Sequence, residues 1–349
     1  MKKIFFSIVA LAALAACSKS EVAYEQPAEI GFKAVAGNMT KAAVDGTEYP
    51  TTLDMYVYAW TTDFTGAEAN YINKGLFVCK NQTFGDYTDK DDATGVNPIV
   101  WGGKTPYYWP NTKELRFAGY SASGNVADLN PSYDCANGIL SIEGYMPGSG
   151  TDKGANDLMF FPATDDSYGK DTDYVPVEML HTCSWITFKV KGDGVTGGAE
   201  STYAVESLTV TGIYGTGNLT CTEGAIDWDF DTYTANTTST VLEANSALSI
   251  KNTSATPKVA ETTENNTVLI PQLPGMLTLE YSYTSPAGVK ITEIRSDLDL
   301  TLDGAATKNT EWLPGRHYIY TITIKANEIL IAPTPGEWED GNNSDITVE

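Results

Sequence analysis

The sequence is poor in histidine, in basic residues and in long apolar runs. It holds only His181 and His317, and 22 Lys and Arg against 45 Asp and Glu, a formal charge of −23. Such a balance repels nucleic acid and anionic lipid head groups, and no basic patch relieves it. Four cysteines follow Cys17: Cys79, Cys135, Cys183 and Cys221, none in CxxC spacing. With so few histidines, no zinc-site pattern can be assembled. Export permits disulfides among the four, in any pairing, and buried free thiols suit the sequence equally well. After the first 16 residues no segment is long and apolar enough to span a bilayer. No capped stretch with helical periodicity follows either.

Catalytic patterns are missing too. In "GYSAS" (119–123) Ser123 stands where a nucleophile elbow needs glycine. "DWDFD" (227–231) opens like a calcium loop, but Thr232 and Thr238 occupy the positions that need Gly and Glu. "GTGNLT", from Gly215, lacks the third glycine of a dinucleotide loop. No enzyme, metal or cofactor is implied.

What the chain does have begins at its front. Met1, Lys2 and Lys3 precede an apolar run over 4–16, then Leu14-Ala15-Ala16-Cys17. A basic start, a short apolar core and small residues before a cut make a secretory signal over 1–16. The last four residues resemble a bacterial lipobox, which makes Cys17 the lipid-bearing new N-terminus. The chain is expected outside the cytoplasm, tethered to a membrane through that lipid.

Alternation with period two dominates the rest. Leu277, Leu279, Tyr281 and Tyr283 alternate with polar residues, as do Leu298, Leu300 and Leu302, and Tyr318, Tyr320, Ile322 and Ile324. Shorter strands are expected at 30–36, 53–60, 115–120, 185–190 and 208–211, separated by turn sequences such as "WPNTKE", "CANG" and "KGDG". The chain therefore reads as all-β. A turn-laden region over 144–173 precedes a new strand run, so a boundary is expected near Pro176, between domains at 42–176 and 177–349. Trp101, Tyr107, Tyr108 and Trp109 cluster in "WGGKTPYYWPNTKELRFAGY". They suit a flat platform for a sugar ring or packing at a domain edge; packing is preferred, since large aromatics dominate cores.

In order along the chain, "EIGFKAVAGNMTKAAV", "LDMYVYAW", "YYWPNTKELRFAGYSAS", "NDLMFFPA", "VPVEMLHTCSWITFKV", "VLIPQL", "WLPGRHYIYTITI" and "GEWEDG" follow the lipobox. Together they resemble the fimbrillins of Bacteroidetes type V pili. The resemblance implies two transthyretin-like β-sandwich domains in tandem and a structural pilus subunit that supports adhesion. It implies delivery to the outer membrane as a lipoprotein, then removal of a 17–41 propeptide by a trypsin-like protease. Lys41-Ala42 matches that cleavage position, although the family often has Arg there. The partners implied are other pilus subunits, and no host or bacterial ligand is specified.

Donor-strand exchange would follow. Ile30, Phe32 and Ala34 form one apolar face of the strand to be withdrawn. At the back, Pro333 and Pro335 are expected to break the tail into two candidate donors, with Ile329 and Ile331 in one and Ile346 and Val348 in the other. Two alternatives stand beside this reading. One is an anchor or tip subunit that keeps its lipid. The other is a monomeric surface lipoprotein that binds glycans through the Trp101–Trp109 cluster.

Overall fold

The computed structural model describes residues 28–37, 47–80, 99–147, 157–192, 194, 202–235, 240–242, 249–251, 253–259, 268–284, 288–301, 311–324 and 329–337. Among these, every regular element is a β-strand. The backbone is therefore satisfied by pairing between segments far apart in sequence, and the order of pairing fixes the architecture.

Met55–Thr61 (MYVYAWT) is central to the first sheet, between Ile72–Cys79 and Leu115–Ser121. From one end the order is Val175–His181, Met159–Phe161, Leu115–Ser121, Met55–Thr61, Ile72–Cys79, Trp101–Gly103, Gly31–Gly37 and Thr47–Glu48. Gly31–Gly37 also pairs in parallel with Val175–His181, from Phe32 opposite Val175 to Gly37 opposite Leu180. The sheet thus rolls until its ends meet, and the first strand is the seam. Inside lie Phe32, Met55, Val57, Ala59, Phe77, Phe117 and Phe161. Alternation sends Tyr58, Trp60, Ala118, Tyr120 and Phe160 to the outer face, and these are buried as well.

The second sandwich packs two sheets face to face. One runs Lys258–Val259, Ser184–Gly192, Arg316–Ile324, Ile329–Glu337; the other runs Thr240–Leu242, Thr202–Thr211, Met276–Thr284, Lys290–Asp299. Phe188, Val205, Leu208, Leu277, Leu279, Tyr320 and Ile322 fill the space between. Two expectations change here. The alternation at Leu298, Leu300 and Leu302 is not one strand: the ladder ends at Asp299. Asp299 Oδ1 accepts the Thr301 N–H at 2.8 Å and its hydroxyl at 2.6 Å, turning the chain so that Leu300 drops into the core. Nor do Pro333 and Pro335 break the tail. Ile329–Glu337 is one strand through both, because it lies at the sheet's edge, where a missing N–H leaves no ladder bond unmade.

The outer face of the first sheet is covered by a sheet that neither half could make alone. Its order is Ile226–Asp229, Gly217–Cys221, Ile139–Tyr145, Ser132–Asp134, with Leu140 paired to Cys221. Tyr145, Leu140, Ile142, Leu219 and Cys221 pack from it onto Tyr58, Tyr120 and Phe160, joined by Cys183 and Trp185 from the start of the second sandwich. The chain crosses between sandwiches at Thr182 and Cys183. Val175–His181 stays bonded to Met159–Phe161 as far as His181, and Ser184–Gly192 opens the second unit. Trp228 Nε1–H donates to the Thr182 carbonyl at 2.9 Å, and Gly315 N–H to that of Cys183 at 2.8 Å. Cys79, Cys135, Cys183 and Cys221 are all free thiols.

Candidate functional site

The seam strand has the richest geometry of any element flagged in the sequence. "EIGFKAVAG" alternates Ile30, Phe32, Ala34 and Ala36 with Gly31, Lys33 and Val35. The first set is buried; Lys33 is exposed, its Nζ 5.6 Å from the centre of the Tyr174 ring. Phe32 is fully buried in an aromatic box. Its ring meets Phe77 edge-on at 5.0 Å and Phe117 at 5.2 Å, and is tilted against Phe161 at 6.1 Å. Burying Ile30 and Phe32 contributes about 1.5–3 kcal/mol each.

Both flanks of the strand are bonded. On one side is Val175–His181, in parallel. On the other, Gly31 and Phe32 stand opposite Gly102 and Trp101, and Val35 and Ala36 opposite Glu48 and Thr47. The pairing extends upstream, where Ile30 N–H donates to the Tyr107 carbonyl at 2.8 Å and Trp109 N–H to that of Ala28 at 3.0 Å. The tight path that brings Tyr107 to this position needs Gly103. A Cβ there would sit 2.4 Å from the Thr105 carbonyl oxygen and 2.9 Å from the Tyr107 ring. Val175–His181 depends heavily on the seam strand, because among the described residues its other flank is bonded only at Leu180 and His181. Beyond them an open cleft of ≈ 270 Å³ separates Pro176, Val177 and Glu178 from Pro162, Thr164 and Tyr168.

The aromatic cluster is part of this wall and not a platform. Trp101 is buried, donates from Nε1 to the Leu53 carbonyl at 3.0 Å, and meets Tyr49 edge-on at 5.0 Å. Trp109 is buried edge-on against Phe117 at 5.8 Å, and Tyr107 stacks on Phe77 at 5.6 Å. Only Tyr108 is exposed, its carbonyl accepting the Tyr71 hydroxyl. The cluster packs because its segment borders the seam strand, so the rings fall on the core side of that pairing.

The remaining sequence candidates are structural or lie elsewhere. Ser121 and Ser123 of "GYSAS" are buried and bonded to each other at 2.6 Å, and Ser121 Oγ accepts the Met159 N–H at 2.7 Å. Asp229 of "DWDFD" accepts the Asp231 N–H at 2.9 Å in a turn. Among the described residues no group of His, Cys, Asp and Glu could hold a metal. Cys17, Lys41, Ala42, Ile346 and Val348 lie outside the described residues. Ile329 and Ile331 do not meet the seam strand; they stand opposite Ile324 and Ile322 in their own sheet.

Three comparisons bear on what this arrangement is. No curated protein matches the sequence. A fimbrial protein from Bacteroides vulgatus, 16% identical, superposes with a TM-score of 0.59 over 89% of this chain and 99% of its own. A putative cell adhesion protein from Bacteroides ovatus, 15% identical, gives 0.47 over 91% and 100%, and the tip fimbrial protein Mfa3 from Porphyromonas gingivalis, 9% identical, gives 0.33 over 90% and 100%. The first of these shows the fold. Residues 1–18 match the prokaryotic membrane lipoprotein lipid attachment site, and residues 40–338 match the fimbrillin-like profile. The chain therefore belongs to the fimbrillin-like family, as a structural, non-enzymatic pilus subunit with a lipoprotein attachment site at its front.

Proposed function

We propose that this subunit is delivered to the outer membrane with a lipid on Cys17, is cut between Lys41 and Ala42 by a trypsin-like protease, and then polymerises by donor-strand exchange. Cutting frees the segment that ends with the seam strand. Once that strand withdraws, the box around Phe32 and two unpaired backbone flanks stand open, a template for a strand from another subunit. The C-terminal segments carrying Ile329 and Ile331, or Ile346 and Val348, are the candidate donors. One observation carries the reading: the strand just ahead of Lys41 is the one that closes the first sheet and fills its core.

A second reading has its own support. Ile329–Glu337 is already paired along Arg316–Ile324, so this part of the tail completes its own sheet. Such a subunit could keep its lipid and serve as an anchor or a tip. N-terminal sequencing of the protein in isolated fibres separates the two. A start at Ala42 supports maturation and exchange, whereas a start at lipidated Cys17 rejects them and leaves the anchor.

A further inference from the structure

The longest open sheet edge in the second sandwich is self-complementary. The other sheet ends described above are blunted, as edges usually are. Thr47–Glu48 and Lys258–Val259 are two residues long, Thr240–Leu242 is three, and Ile329–Glu337 carries two prolines. Lys290–Asp299 differs. It has ten residues and no proline, and among the described residues it has a strand partner, Met276–Thr284, on one side only.

Its side chains alternate cleanly as far as Arg295. Thr292, Ile294 and Ser296 are exposed on the outer face, Ile294 by 64%. Glu293 and Arg295 are half-buried on the core side, opposite Tyr281 and Leu279. Glu293 accepts the hydroxyls of Tyr281 at 2.6 Å and Tyr283 at 3.2 Å. Arg295 Nε–H is buried and, among the described residues, donates to no group. One exposed isoleucine is ordinary by itself. The charges on either side of it are not.

We infer that this edge pairs antiparallel with the same edge of a second copy, about a two-fold axis at Ile294. A sheet continued across an edge sets residues opposite each other only when they share a face. With Ile294 opposite its twin, Thr292 falls opposite Ser296 and Glu293 opposite Arg295, each pair occurring twice by symmetry. The nearest other registers that keep the faces matched set Glu293 against Glu293, or Arg295 against Arg295. Opposite charges in such positions attract and like charges repel, so the charges select the register centred on Ile294.

Charges turned to the core side of an edge strand commonly prevent pairing. Here they have opposite signs two positions apart, and antiparallel pairing matches them. The partner copy also brings Arg295 Nε–H an acceptor, because a carboxylate has room for more than two tyrosine hydroxyls. None of this rests on strand exchange, which concerns the first sandwich. The ladder from Thr292 to Ser296 is short, so it holds free subunits weakly and adds up where many copies lie side by side.

Cross-linking tests the register in the full chain carrying Cys17→Ala. Directly opposed Cβ atoms lie about 4.5–5.5 Å apart, within reach of a disulfide after small adjustment. Ile294→Cys should therefore form a linked dimer on mild oxidation. Thr292→Cys faces Ser296 and should give at most about one tenth as much, and the parent none. Equal linking through 292 and 294, or none through 294, overturns the proposal. A charge exchange checks it independently. Adding either Glu293→Arg or Arg295→Glu to the Ile294→Cys chain should cut linking about tenfold, and mixing the two chains should restore it, since only the mixture sets Arg against Glu at both places. Chains that keep the parent's melting temperature and still fail to link when mixed reject the pairing.

Discussion

Asp157 and His181 are joined in the buried crossover between the two sandwiches. One carboxylate oxygen of Asp157 meets His181 Nδ1, and the other accepts the Cys183 N–H at 3.0 Å. The pair ties the last residue of the first sheet to the segment that opens the second. Removing Asp157 takes an acceptor from the buried Cys183 N–H and from the His181 ring, which costs about 1–3 kcal/mol. Asp157→Ala should lower the stability of the whole chain by that amount, read as a shift of the denaturant midpoint.

Phe32→Ala should destabilise the uncut precursor by about 3–5 kcal/mol, because three neighbouring rings are too large to close over the void. Ala34→Leu should also destabilise it, by about 1–3 kcal/mol through overpacking. Once the chain is cut and the seam strand removed, neither substitution should matter to what remains. Thermal unfolding of precursor and cut protein, side by side, checks both.

Hydrogen exchange should report on the flank that the seam strand holds. Among the described residues, Val175–His181 is bonded elsewhere only at Leu180 and His181. The amides of Val177 and Met179, turned toward the seam strand, should be protected in the precursor and become fast-exchanging when that strand leaves, while Met55–Thr61, paired on both sides, stays protected.

Lipidation at Cys17 is checked by metabolic labelling with a fatty-acid analogue. Cys17→Ala should abolish the label and release the chain from the membrane, because acyl chains anchor at about 0.8 kcal/mol per buried CH₂.

Burial pushes the thiols of Cys183 and Cys221 well above their ordinary value, and that of Cys135 up to about 12. The folded state thus favours the protonated form. The resulting stability is fully present below the unfolded value of 9.0 and is lost as pH rises from there toward about 12. Unfolding in urea should become easier across that window, and Cys183 and Cys221 should react with a thiol reagent at pH 8 only after unfolding.

Much of this was legible in the sequence, for definite reasons. Ile30, Phe32 and Ala34 show their shared face because alternation is local. The ladders Met276–Thr284 and Arg316–Ile324 announce themselves in the same way. The shared sheet does not: Ser132–Asp134 and Ile226–Asp229 are short, and Leu140 finds Cys221, 81 positions further along the chain, without leaving a local trace. Trp101 and Trp109 carry no mark of which side of the chain faces inward; their burial follows from a neighbour, Gly31–Gly37, that is remote in sequence. The strand through Pro333 and Pro335 was hidden because a proline reads as a break until its place at an edge is known.

The sheet built from both halves has a mechanical consequence. Tandem domains joined by a linker swing by default, unless a large apolar interface holds them. Here two strands from each half make one sheet, and Tyr145, Leu219 and Cys221 lie in a single core with Tyr120 and Trp185. To bend the subunit in the middle, backbone pairs such as Leu140 with Cys221 must shear and that core must open to water. Each subunit is therefore a stiff link. In a pilus made of such links, bending should fall at the joints between subunits and not within them.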